Sequence, residues 1–317
     1  VILVLTNSQD ATADYLCPIL QESGLVVCRF NTDSPRDNFA ISSDLTVEPI
    51  WRFPHAELVP EAVHHVWLRR PLPLASGGQT AAEQHAAYEW ASAIEGFLNR
   101  VPTARWMNHP AVNTTASHKI DQLYRAREVG FAIPRSLITQ VSSDAICFWH
   151  RCHGRVVAKP LSFGYVEGAT RADDFIIYTS SVSLDDIQGH SELLAKTPTL
   201  FQERIDKECD VRVTVIDDEA TAIALVAKDH NQIDIRRNEM REVQYRPIEI
   251  PSVELRRIFT LVRGYGLRFA ALDFAVTREG AWVFFELNPN GQWAWMDIEG
   301  CCSIHQSFLH AFKRLNA

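Results

Sequence analysis

Nowhere in this chain of 317 residues do 18 apolar residues run together, so no membrane-spanning helix is expected. A cationic surplus is missing too: 31 Lys plus Arg stand against 39 Asp plus Glu, for a net charge of −8. Affinity for nucleic acid is dominated by cationic contacts to phosphate, so a nucleic-acid partner is disfavoured, whereas a small nucleotide needs only a local group of lysines. The seven cysteines form no CxxC pair, and the adjacent Cys301 and Cys302 are too close for an ordinary disulfide. A reducing, cytoplasmic setting is the expectation. The 12 histidines supply no HExxH and no Cys/His zinc spacing; a GxSxG elbow and a GxxxxGK[ST] phosphate loop are likewise absent. Zinc-hydrolase, serine-hydrolase and P-loop chemistry are thereby set aside, and even His230, near Asp234 and Arg236, is expected to be structural. The opening run Val1 to Leu5 has no basic segment before it and stops at Thr6-Asn7-Ser8, so it reads as a strand and not as a signal peptide. Val1 is not an initiator methionine, and a few native residues are expected to precede it.

What remains is the composition of an ordinary folded protein, 46% hydrophobic and 22% charged, at a length where one core usually gives way to several. Residues 1–30 read as strand, helix and strand, the helix starting near Asp10 and closing at Gly24. A strand at Val66 to Arg70 and a long helix from Gln79 to about Asn99 complete an α/β unit expected to end near Pro110. Ser117 is the expected cap of a helix to Val129, with Ile120, Leu123 and Tyr124 on one face and Gly130 after it. Beyond it the pattern turns to strands at 156–159, 175–178, 210–216, 220–227, 269–276 and 281–287, with turn residues at Asp217-Asp218 and Glu279-Gly280. An α/β first domain and an α+β second domain rich in antiparallel pairs are the expectation.

The sharpest chemical signal is Leu272-Asp273-Phe274 followed by Phe285-Glu286-Leu287-Asn288-Pro289-Asn290-Gly291. If Thr277 pairs with Trp282 around a tight turn, Phe274 opposes Phe285 and Asp273 opposes Glu286. Alternation then puts Asp273, Glu286 and Asn288 on one face of a hairpin. Two carboxylates and an amide oxygen suit Mg²⁺, which completes its octahedron with substrate phosphates and water. Ala271 and Ala275 on that face are small and are expected to leave room for a ligand. Two lysines are placed to meet phosphate. Lys119 lies in the first turn of its helix, and Lys159 ends the apolar strand Val156-Val157-Ala158 beside the loop Pro160 to Gly168. A solvated surface lysine is the competing reading for both. In Phe201-Gln202-Glu203-Arg204-Ile205 an extended backbone can meet an adenine edge, and an acidic residue a few positions on, Asp210, can accept from ribose hydroxyls. Arg69 and Arg70 end a strand and read equally as internal ion-pair partners or as forks for a peptide carboxylate facing the cleft. Trp293 and Trp295 are expected to anchor a core.

In this order, the lysines, Gln-Glu-x-Ile, Asp-x-Arg, and Asp with Glu-x-Asn on a hairpin resemble the ATP-grasp superfamily of carboxylate–amine and carboxylate–alcohol ligases. The chain is most similar to the graspetide (microviridin-type, omega-ester-containing peptide) synthetases. That likeness is carried by Leu5 to Asp10, Arg29 to Asp33, Val66 to Pro71, Asn113 to Pro134, Ile177 to Ser180, Ile233 to Arg236 and Glu286 to Trp293. The resemblance implies an ATP-grasp fold with an N-terminal α/β pre-ATP-grasp domain over 1–112 and a catalytic region over 113–317. The latter would divide into a central subdomain at 113–198 and a C-terminal one at 199–317. It implies ATP and Mg²⁺ as cofactors, with Asp273, Glu286 and Asn288 on the metal and Lys119 and Lys159 on the phosphates. Gln202, Glu203, Ile205 and Asp210 would meet the nucleoside, and Arg212 and Arg236 the transferring group, Asp234 holding Arg236. The implied partner is a ribosomally made precursor peptide with a leader and an acidic, hydroxyl-rich core; a homodimer is one assembly it allows. A ligase adding a free amino acid to a peptide or protein terminus is the alternative, and a nucleotide-binding module without turnover is a third reading.

Overall fold

A computed structural model describes residues 1–33, 40–42, 44, 46, 50–53, 56–73, 80–162, 164–166, 174–227, 233–235 and 242–314. The N-terminal part is an α/β unit. Strand β1 (Ile2–Thr6) pairs in parallel with β2 (Val27–Asn31) and with β6 (His65–Leu68), and β7 (Trp106–Met107) extends the sheet to the order β2-β1-β6-β7. Asp10 starts α1 (Ala11–Glu22) by accepting from the Thr12 N–H, and Gly24, at φ +82°, turns the chain out of it. A small antiparallel sheet of β3 (Ala40–Ser42), β4 (Ile50–Phe53) and β5 (Ala56–Leu58) is an addition to the sequence reading. It seats Trp51 in a cluster with Leu3, Leu5, Leu68 and the buried face of α2 (Ala81–Leu98).

The helix expected from Ser117 is two helices. Ser117 closes α3 (Pro110–Ala116), its Oγ donating to the Asn113 carbonyl at 2.7 Å, and α4 (Lys119–Glu128) starts after His118. The buried stripe of α4 is Gln122, Leu123 and Ala126, while Ile120 and Tyr124, expected beside Leu123, are 44% and 57% exposed. Gln122 wins its place because its amide donates to the Leu287 carbonyl at 2.7 Å and accepts from the Leu287 N–H at 3.0 Å, which an apolar side chain cannot do.

A central antiparallel sheet, β12-β9-β13-β8, is made of β8 (Ser136–Thr139), β9 (Val156–Lys159), β12 (Ser180–Ser181) and β13 (Thr199–Glu203). It includes β13, so it reaches past the boundary expected at 198. Helices α5 (Ser142–Arg151), α6 (Leu184–Gly189) and α7 (Ser191–Leu194) lie with it, Phe148 and Ile187 packing on Val156 and Phe201. Where a strand over 175–178 is expected, the short pair β10 (Tyr165–Val166) and β11 (Phe175–Ile176) forms instead. Gly164 is required there, since a Cβ on it would meet the Ile177 carbonyl at 2.5 Å.

The largest sheet is antiparallel throughout. Its order is β16-β15-β14-β17-β18, with β14 (Cys209–Ile216), β15 (Glu219–Ala227), β16 (Val243–Pro247), β17 (Phe269–Val276) and β18 (Trp282–Asn288). Val211, Val213, Leu272 and Phe274 point to one face and pack on Leu123 and Ala126 of α4 and on Ile258 and Leu261 of α8 (Ser252–Gly264). The other face is divided. One end, with Ile216, Ile223 and Phe269, is covered by Trp293, by α9 (Ala294–Ile298) and α10 (Ile304–Arg314), and by α1 and β1 of the first unit. The other end is left to a cavity. Among the described residues, no helix is long and apolar enough to cross a membrane.

Candidate active site

Between the central and the largest sheet lies a cavity of about 1190 Å³, and every described residue expected at the site lines it. On the largest sheet, Asp210 and Arg212 of β14 and Asp273 of β17 point away from the α4/α8 core because the residues between them, Val211, Leu272 and Phe274, are in it. Asp273 lies opposite Glu286 as expected. The expected register fails next to it. Val276, not Thr277, opposes Trp282, and the Thr277 N–H donates to the Ala281 carbonyl at 3.0 Å, so the turn is one residue tighter. The tighter turn sets Phe274 opposite Phe284, not Phe285, and a β-bulge after Asp273 then restores the Asp273–Glu286 pairing. The two departures cancel at the site.

The same bulge turns Phe285 toward the cavity, where its ring lies 4.5 Å from the Lys159 ammonium. Lys159 is half-buried rather than the solvated lysine that competed in the sequence reading, and burial pulls its pKa below the ordinary value, against the opposing pull of Glu286 and Asp234. Lys119 approaches from the start of α4. Its ammonium donates to the carbonyls of Pro160, Leu161 and Ser162 at 3.0, 3.4 and 2.9 Å, so its three donors clasp the loop after β9 and are not turned to a phosphate as the sequence reading expects.

Asp273 is engaged by Arg212, whose Nε and Nη2 donate to its two oxygens at 2.5 and 3.1 Å across directly opposed positions of β14 and β17. Arg212 also donates to the Gln292 carbonyl at 3.2 Å. The space expected beside Ala271 is not open to a ligand: a Cβ on Gly291 would meet the Ala271 Cβ at 2.3 Å, so the small pair lets the loop after β18 close on the sheet. Asn288 accepts from the Asn290 N–H at 3.0 Å, retaining a second lone pair on its oxygen. Two carboxylates and an amide oxygen on one face have the hard-oxygen chemistry that Mg²⁺ takes, with room in the cavity for phosphate and water to complete the shell. Among the described residues no group of three or more His, Cys, Asp or Glu is placed to hold a metal ion.

On the central sheet, Gln202 is buried and its Nε2 donates to the Ser136 hydroxyl at 2.9 Å, while Glu203 forms ion pairs with Arg135 at 3.6 Å and Arg155 at 3.7 Å. Ile205 lines the wall beside them. Asp210 is met by a residue the sequence reading passed over. Lys207 donates to both of its oxygens at 2.7 and 2.6 Å. Burial raises the Asp210 pKa, and Lys207 opposes that rise. Asp234, 7% exposed, accepts from the Thr179 N–H at 3.0 Å and ties its loop to the segment leading into β12. Arg236, His230 and the loop residues Phe163 and Gly168 lie outside the described residues.

The two arginines divide between their two readings. Arg69 is internal, 1% exposed, and donates to the carbonyls of Asn290 and Gly291 at 3.1 and 3.2 Å with Asp10 at 3.5 Å. Arg70 is exposed and lines the cavity near Gln292, whose amide, turned to offer its oxygen, accepts from it at 2.8 Å. Trp293 is fully buried against Phe308, as expected, whereas Trp295 is half-buried, pairs with Tyr245 at 4.9 Å and lines the cavity. Lys207, Phe285, Tyr245 and Trp295 are thus the site residues missed. A lysine three positions before an aspartate in extended chain carries no periodic signal, and Phe285 reaches the cavity only through a bulge.

Solved structures share this architecture from end to end. Macrocyclase MdnC of Microcystis aeruginosa MRC, bound with precursor peptide MdnA, is 24% identical, with 99% of each chain covered and a TM-score of 0.83. A Chryseobacterium gregarium RiPP-associated ATP-grasp ligase, in complex with ADP and a leader and core peptide, is 23% identical, with 99% of this chain and 96% of that one covered and a TM-score of 0.82. Macrocyclase MdnB of Microcystis aeruginosa MRC is 26% identical over 97% of both chains at a TM-score of 0.76. Neither a family model nor a curated protein matches the sequence. The chain has the ATP-grasp fold. In particular, it is similar along its whole length to two macrocyclases and to a RiPP-associated ATP-grasp ligase.

Proposed function

We propose that this chain is an ATP- and Mg²⁺-dependent ligase that activates Asp or Glu side chains of a precursor peptide as acyl phosphates and joins them to hydroxyl or amine groups of the same peptide. The observation that carries this reading is the cavity itself. It sets the ammonium of Lys159 and that of Lys119 along one wall and Asp273, Glu286 and Asn288 along the other, on a fold shared with peptide macrocyclases. Asp273, Glu286 and Asn288 would hold Mg²⁺, which when bound neutralises phosphate charge. Lys159, desolvated against Phe285, offers its charge to phosphate, and Lys119 holds the loop after β9 over the same space. Gln202, Glu203 and Ile205 form the nucleoside end with Asp210. Arg212 would stabilise the transferring group, and Asp234 with Arg236 is assigned the same task.

A peptide carboxylate oxygen attacks the γ-phosphorus of ATP and ADP leaves. The hydroxyl or amine then attacks the acyl carbon, the C–O bond to phosphate breaks, and the nucleophile's proton leaves with the released phosphate. The enzyme's share is positioning, charge neutralisation and exclusion of water. The proposed partner is a precursor peptide with a leader and an acidic, hydroxyl-rich core; self-association into a homodimer is an accompanying expectation that light scattering reads. The proposed setting is a reducing cytoplasm, in keeping with seven unpaired thiols.

Mass spectrometry tests the reading. Enzyme, ATP and Mg²⁺ incubated with a candidate precursor peptide should give a product lighter by one water per crosslink and resistant to fragmentation between an acidic residue and a Ser, Thr or Lys. A gain in mass that depends on an added free amino acid would overturn it in favour of amino-acid ligation.

A further inference from the structure

Lys207 is saturated where it stands. An ammonium has three donors, and here they meet three acceptors: the two Asp210 oxygens at 2.7 and 2.6 Å and the Ile233 carbonyl at 3.2 Å. Unlike Lys159, it has no donor left to offer a phosphate. Both side chains of the pair are 16% exposed, and both line the cavity with Gln202 and Ile205. A carboxylate has about four lone-pair positions, so the two bonds from Lys207 leave each Asp210 oxygen with one more. Asp210 projects from the cavity face of β14, opposite Leu225 of β15 and the small Ala275 of β17. Lys207 reaches it from the segment between β13 and β14.

We infer that Lys207 is a positioning residue for the nucleotide ribose: it fixes the Asp210 carboxylate in the orientation whose remaining lone pairs accept the ribose hydroxyls. The inference rests on the nucleotide reading above and extends it to how the site tells ribose from deoxyribose. A carboxylate released from Lys207 rotates about its own side-chain bonds and presents both lone pairs to water as readily as to a sugar. A surface ion pair would contribute little of either kind.

The test is a set of calorimetric titrations with Mg·ADP and Mg·2′-deoxy-ADP on the full chain. Wild type should bind ADP about tenfold or more tighter than the deoxy form, the size expected of a hydrogen bond to a charged acceptor. K207M should bring that ratio toward one, as D210N does, while K207R, which keeps the cation, should retain most of it. The double variant K207M/D210N, which carries no buried unpaired charge, should match D210N alone, since Lys207 acts through Asp210. A K207M protein that weakens both nucleotides equally and keeps the wild-type ratio overturns the inference, as does a further loss of ratio in the double variant. Wild type that binds ADP with no preference for ribose also overturns it. Wild type that binds no ADP at all would instead overturn the nucleotide reading itself.

Discussion

Two polar regions on the same sheet are wired differently. At the junction of the N-terminal unit and the largest sheet, polar side chains are spent on backbone groups. Asn108, 2% exposed, donates to the carbonyls of Phe269 and Pro289 at 2.8 and 3.0 Å and accepts from the N–H groups of Arg268 and Phe269, both at 2.9 Å. Arg69 does the same for Asn290 and Gly291. In the cavity, charged side chains also meet one another or a ring: Arg212 with Asp273 and Lys207 with Asp210 at β14, and Lys159 of β9 over Phe285, while Lys119 and Asp234 there bond to backbone. Groups bonded to backbone are committed to the fold, because withdrawing them orphans buried peptide groups. Carboxylates paired with side chains keep lone pairs for something else. The junction is bonded chiefly through backbone groups, and the cavity adds carboxylates that keep lone pairs to spare.

Substitutions on the two sides should separate these roles. The largest effect belongs to the cavity. Glu286→Gln should cut turnover about a thousandfold or more while leaving the urea midpoint within experimental error of wild type. Near-wild-type ADP formation by that variant would remove the metal assignment. At the junction, Arg69→Met should cost about 3–5 kcal/mol in denaturant unfolding, because it leaves Asp10 buried without its cation. A loss under 1 kcal/mol would show that the junction is not held by charge.

His65 sharpens the comparison through pH. It is fully buried in β6 beside the Phe312 carbonyl, and burial, helped by Arg268, lowers its pKa to about 4. Its folded pKa lies below the unfolded value of about 6.5, so the folded state disfavours the charged ring. The associated stability is fully present above pH 6.5 and is lost as the pH falls toward 4. Between pH 7.5 and 5 the wild type should lose roughly 2 kcal/mol more than His65→Gln, read from paired urea titrations; equal losses would put the titrating group elsewhere.

Back in the cavity, Lys159→Ala should weaken ATP binding by about tenfold while altering stability less, since it strips phosphate of a counter-charge. Unchanged affinity in a calorimetric titration would count against its assignment. The smallest effect is expected at Arg70→Ala, next in sequence to Arg69, where an exposed guanidinium should change stability by no more than about 0.5 kcal/mol. A cost equal to that of Arg69→Met would erase the distinction between the two arginines.

The hairpin of β17 and β18 shows how much of the site could be read in advance. Asp273, Glu286 and Asn288 were legible because side-chain alternation is local and their spacing is two. The pairing of Asp273 with Glu286 was also right, although the turn proved one residue tighter than expected and a bulge made up the difference. A bulge is set by what packs on each face: here Phe284 takes the core beside Phe274 and Phe131, and Phe285 is pushed across to Lys159. Alternation alone has no way to assign two successive residues to opposite duties out of step. In α4 the hydrophobic pattern likewise favoured Ile120 and Tyr124, and a glutamine displaced them by bonding to Leu287.

By itself the sequence determined the α/β start, the antiparallel second half, the absence of long apolar runs and the order of motifs that resembles the ATP-grasp ligases. Each of these depends on composition or on periods of two and 3.6 residues, which the chain carries wherever it folds. Tertiary structure alone decided that Arg69 is buried and Arg70 is not, that Lys207 meets Asp210, and that Tyr245 and Trp295 reach the cavity. These are outcomes of which elements cover which half of one sheet face. They depend on contacts between residues as far apart as Arg69 and Asn290, and no local pattern encodes such a distance.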